Sequence, residues 1–102
     1  MTTMTLQVLY PVGDGTRFDH DYYTGTHLPL VDEHFGPHLE RTLVTRVRAS
    51  APDGAAVYHA IATLVFIDQP AFEAAMAVAG PVLADIPRFT DTTPEMQIGE
   101  VT

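Results

Sequence analysis

The chain has no cysteine and no lysine, and its five cations are all arginine against 13 acids. Without cysteine there is no disulfide framework, no thiolate metal site and no thiol nucleophile, which fits a cytoplasmic setting. No apolar run approaches the ~20 residues of a membrane-spanning helix. No basic segment leads into an apolar one, so neither a membrane span nor a signal peptide is expected. The net charge is -8, and charging all five histidines still leaves it at roughly -3. A polyanion would be repelled, so nucleic acid and anionic membrane surfaces are not expected partners. No run of like charge is long enough to form a tail, and the acidity reads as a solvated surface.

What is present fits one domain, residues 1–102, with no repeat, linker or low-complexity stretch. MTLQVLYP alternates and reads as a strand ending at Pro11, followed by the loop VGDGT. Asp19 suits an N-cap, and the helix it opens runs to about Phe35, where Gly36-Pro37 stops it. LERTLVTRVRAS and VYHAIATLVFI read as two further strands around the turn APDGAA. DQPAFEAAMAVAGP reads as a second helix, capped by Asp68 or Gln69 and ended by Gly80-Pro81. VLADIPRFTD reads as an irregular turn and PEMQIGEV as the last strand.

The order β-α-β-β-α-β predicts an α+β chain of the ferredoxin-like type, with both helices on one face of an antiparallel sheet. The third strand is apolar on both sides: Val57, His59, Ile61, Thr63 and Val65 on one, Tyr58, Ala60, Ala62, Leu64 and Phe66 on the other. A sheet with two apolar faces needs a second cover, and a second copy of the chain supplies one. A homodimer with sheets packed face to face is therefore expected, with His59 pointing toward the partner sheet.

The first helix holds Gly25 and Pro29, both poor interior residues, on either side of His27. At 100° per residue His20, Tyr23, His27, Leu30, Val31 and His34 share one stripe. Three histidines at a spacing of seven do not converge on one ion, because seven residues rise ~10.5 Å along a helix. No metal site is expected. Pro29 cannot donate to the carbonyl of Gly25 and crowds it, so the helix should kink beside His27. Tyr23 lies one turn back. A phenol and an imidazole beside a broken helical ladder can hold a polar group or move a proton. The alternative is a buried imidazole bonded to the freed carbonyl, with Tyr23 as packing. If the Ala60/Ala62 side of the third strand faces the helices, its small side chains leave room there, walled by Tyr10, Leu64 and Phe66. A ligand pocket of roughly 300 Å³ or more is the expectation.

FDHDYYTGTHLPLV resembles the signature of the EthD family, with Tyr-Tyr, His and Pro-Leu at this spacing. LYPVGDGTRFD, AIATLVF and ADIPRFTDTTPEMQIGEV resemble the same family's first strand and loop, third strand and C-terminal region. The resemblance spans nearly the whole chain. It implies a homodimeric α/β barrel of ferredoxin-like subunits, with functional interest in His27, Tyr23, Asp85 and Phe89. It also implies kinship with cofactor-free lactone isomerases, polyketide-type cyclases, decarboxylases and quinone-forming monooxygenases. In related lactone isomerases a histidine at the corresponding helix position transfers a proton. Relatives carry a polar aromatic pair where this chain has Thr63 and Val65, so no second polar site is expected there.

The expectation is thus a cofactor-independent isomerase, cyclase or decarboxylase acting on a small apolar, often cyclic metabolite. His27 would be the general acid/base and Tyr23 the hydrogen-bond donor. Tyr10, Leu30, Ala60, Ala62, Phe66, Asp85 and Phe89 would contact the ligand. No glycine-rich dinucleotide turn is present, and no cofactor is expected. The alternative is a non-catalytic protein that binds a hydrophobic metabolite or supports a partner oxygenase.

Overall fold

The structure is a computed structural model and describes residues 2–52 and 54–102. Strand β1, Met4–Pro11, lies between β3, Tyr58–Phe66, and β4, Glu95–Glu100, while β2, Leu39–Arg46, pairs with the far side of β3. All three pairings are antiparallel and the order is β2-β3-β1-β4, the ferredoxin-like arrangement. No described helix is long and apolar enough to cross a membrane.

The helices cover one face. Leu6, Val8 and Tyr10 of β1 and Ala60, Ala62, Leu64 and Phe66 of β3 alternate inward and form the floor of the core. The first helix, α1, begins at His20–Tyr22, capped by the Asp19 carboxylate, which accepts from the Tyr22 amide at 3.0 Å. It widens into a π turn over Tyr23–His27 and continues as Leu28–Phe35, then a 3-10 turn at Gly36–His38. The Leu28 amide bonds the Tyr23 carbonyl, five residues back. Pro29, which has no amide hydrogen, sits in the first turn after it. The helix therefore absorbs Pro29 by widening one turn.

Helix α2, Gln69–Ala77, is capped by Asp68, whose carboxylate accepts from the Ala71 amide at 2.9 Å. Gly80-Pro81 does not close this helix but opens a third, α3, Gly80–Asp85, which runs into a 3-10 turn at Ile86–Arg88. The stretch expected to be irregular is thus mostly helical, since proline is tolerated in a first turn as readily as after a last one.

A register shift where Tyr10 faces Ala60 and Pro11 faces Tyr58 leaves His59 as the extra residue of a bulge. The bulge re-aims two side chains. The His59 ring stacks on Phe18 at 5.3 Å and its Nε2 meets the Thr16 hydroxyl at 3.1 Å, so it does not point away from the sheet as expected. Tyr58, expected beside Ala60, instead donates to Glu95 at 2.9 Å, and Glu95 pairs with the outward residue Leu9. The outer face of the sheet is mixed. Leu43, 56% exposed, lies near Ile61 and Leu9, but Gln7, Thr45 and Gln97 share the same face.

Candidate active site

His27 and Asp85 are 58 residues apart in sequence and meet in the interior, with Nδ1 of the imidazole 3.0 Å from Oδ2 of the carboxylate. Both side chains are buried. The segment after Asp85 is tied to the start of α1 by several contacts. The Asp19 amide bonds the Phe89 carbonyl at 2.7 Å, the Arg17 amide bonds the Asp91 carboxylate at 2.8 Å, and the buried Thr90 hydroxyl donates to the Arg17 carbonyl at 2.6 Å. These bonds set the carboxylate against the helix.

Asp85 also accepts from the Tyr22 hydroxyl at 2.8 Å, and the exposed Arg88 approaches it at 3.8 Å. Burial opposes the charge on Asp85, but the hydrogen bonds from His27 and Tyr22, with Arg88 nearby, hold its pKa below the ordinary value. It is a carboxylate, and a carboxylate only accepts, so the His27 Nδ1 carries the hydrogen. Nε2 is then the unprotonated ring nitrogen of the neutral form, and no described residue bonds it. Burial lowers the His27 pKa, partly offset by Asp85, which keeps the ring neutral near pH 7.

His27 forms part of the wall of a cavity of about 150 Å³ between sheet and helices. The floor is Leu6, Val8, Tyr10, Ala62 and Leu64; Val31 and Phe35 of α1 and Val82 and Ile86 beyond α2 close it. Leu83, Met96 and Ile98, all substantially exposed, mark its solvent side. The volume is half the expected one, yet a dry cavity of this size holds a benzene-sized ring.

Tyr23 stacks on His27 with ring centres 5.6 Å apart and planes 17° from parallel. Its hydroxyl is buried and has no hydrogen-bond partner among the described residues. Burial pushes its pKa, and that of the neighbouring Tyr10, well above the ordinary phenol value, so both stay protonated.

Of the expected site residues, the cavity brings together His27, Tyr23, Tyr10 and Ala62. Ala60 lies in the wall of a second cavity instead. Asp85 stands behind His27 rather than in the cavity wall. Phe89, fully buried, packs on the imidazole at 4.5 Å and does not line the cavity. Phe66 packs on Phe35 and Phe72 in the core. Leu30 is only half-buried, because the wide π turn shifts the buried face to Tyr23, His27, Val31 and Phe35, spaced by four. Tyr22 was not among the expected site residues; the doubled tyrosine is its only sequence signal.

The fold and site together define a ferredoxin-like domain with a carboxylate-held histidine beside a small apolar cavity. The EthD domain model matches residues 16–93, and the chain belongs to the EthD family. It is similar to a crystallised EthD-like protein from Ralstonia eutropha JMP134, at 32% identity and TM-score 0.87, covering 100% of this chain and 94% of that one. It shares its fold with SnoaB, a cofactor-independent oxygenase from Streptomyces nogalater, at 17% identity and TM-score 0.67, over 100% of this chain and 95% of that one. A dimeric ferredoxin-like protein from an uncultured marine organism aligns at 16% identity and TM-score 0.64, over 100% of this chain and 97% of that one. No curated protein matches the chain at a significant level.

Proposed function

We propose that the protein is a cofactor-independent enzyme that moves a proton on a small apolar cyclic molecule. The observation that carries this reading is the buried His27–Asp85 pair, 3.0 Å apart, at the wall of an apolar cavity. Nε2 takes a proton from a carbon beside a carbonyl, and Asp85 stabilises the imidazolium that forms. The unpartnered Tyr23 phenol supplies a hydrogen bond to the oxygen on which negative charge develops. Returning the proton at another atom gives isomerisation or cyclisation; in a decarboxylation the C–C bond pair left by departing carbon dioxide forms the enolate, and a protonated His27 gives its proton to that carbon. The fold shared with a cofactor-independent oxygenase supports a cofactor-free reaction. Such deprotonation also precedes oxygenation of an easily oxidised substrate.

The test is a turnover screen of single-ring lactones, phenols and small polyketide fragments, followed by His27→Gln and Asp85→Asn. For an active compound, His27→Gln lowers kcat by about 10²-fold or more while the compound still binds, as expected for loss of general acid/base catalysis. Asp85→Asn lowers kcat and alters its pH profile. Binding without turnover in the wild type, lost in His27→Gln, supports instead a carrier in which His27 anchors the ligand.

A further inference from the structure

On the edge strand β2, Thr42, Val44 and Arg46 share one face, opposite Leu64, Ala62 and Ala60 of β3; Thr42 and Arg46 are exposed and Val44 is half-buried, so the guanidinium stands at the solvent margin of the core. Opposite it is Ala60, whose small side chain leaves room. The result is a second cavity of about 290 Å³ on the β2 side of α1. Its apolar surface comes from Tyr23, Leu28, Val44 and Ala60, and its polar rim from Arg46 and His20, with Asp21 and Thr24 on the helix side.

The rim carries one permanent cation, Arg46, and one acid, Asp21. Arg46 makes no ion pair with any described residue. His20 and His59 both pack on Phe18, with ring centres 4.6 and 5.3 Å from it. Burial, Arg46 and His59 oppose a charge on His20, while Asp19 and Asp21 favour it. The Asp19 carboxylate already caps α1, and Thr24 gives its hydrogen to the His20 carbonyl at 3.0 Å. Asp21 is therefore the one free acid in the wall. Tyr23 and Leu28 line both this cavity and the one beside His27 and form the partition between them.

We propose that this second cavity binds an aromatic monocarboxylate, with Arg46 holding the carboxylate and Tyr23, Leu28 and Ala60 packing on the ring. A guanidinium offers a planar pair of donors suited to a carboxylate, and the apolar side chains beside it suit a ring. The assignment does not depend on the chemistry at His27.

Amide chemical shifts followed during titration with benzoate, and separately with neutral benzamide, test it. Benzoate should saturate shifts at Thr24, Val44, Arg46 and Ala60, with benzamide weaker by about tenfold or more, the effect of one charge-assisted contact. Arg46→Gln should weaken benzoate to the level of benzamide while leaving the spectrum folded. His27→Gln should leave benzoate binding unchanged, which separates this site from the proposed catalytic one. Equal affinity for the two probes, full benzoate affinity in Arg46→Gln, shifts confined to Val31 and Val82, or no shift with benzoate would each overturn the assignment.

Discussion

At the scale of single residues, the account rests on how burial and hydrogen bonding divide charge between His27 and Asp85. Burial lowers the His27 pKa from 6.5, and hydrogen bonds lower that of Asp85 from 3.8. The unfolded chain binds protons more readily at both groups, so both contributions to stability are complete above pH 6.5 and diminish on acidification. Urea unfolding between pH 8 and pH 5 should show stability falling as pH drops below 6.5, and His27→Gln should reduce that slope, the remainder including His20, whose pKa is also lowered. A stability that rises as pH falls through this window would mean that the folded state favours the imidazolium.

At the scale of elements, much of the layout is legible in the sequence. Met4–Pro11 alternates over its whole length, Asp19 and Asp68 cap their helices, and Pro70 falls in a first turn. What local pattern does not show are the features set by tertiary contact. The π turn replaces the expected kink because widening one turn accommodates the missing Pro29 donor while keeping Tyr23 and His27 stacked. The bulge at His59 depends on its register with β1. Pairing of His27 with Asp85 bridges 58 residues, beyond the reach of spacing arguments; only the family resemblance singled out Asp85. Gly25, in the π turn, is exposed, has no positive φ, and a Cβ there would meet nothing within 4 Å. Gly25→Ala should therefore stabilise the protein by about 0.5–1 kcal/mol in thermal or urea unfolding. Destabilisation would show that the π turn itself requires glycine.

At the scale of the whole molecule, the outer face of the sheet is the surface on which a second copy is expected to pack. The face is less apolar than the third strand alone suggests, because Gln7, Thr45 and Gln97 from neighbouring strands lie among Leu43, Ile61 and Leu9. The cover it needs is thus of mixed polarity. Light scattering at micromolar concentration should give a dimer, and Leu43→Glu should give a folded monomer, since an unpaired charge buried at an interface costs about 3 kcal/mol or more. A monomeric wild type would contradict that expectation.

The central claim is that His27 is a neutral base whose Nδ1–H is held by Asp85 and whose Nε2 is left for the cavity. Long-range proton–nitrogen NMR of the histidine rings across pH tests it without any substrate. The account predicts the Nδ1–H tautomer for His27, titrating below pH 6.5, and a change of tautomer or pKa in Asp85→Asn. A ring protonated at Nε2 in the neutral form, or one titrating above pH 6.5, would contradict it.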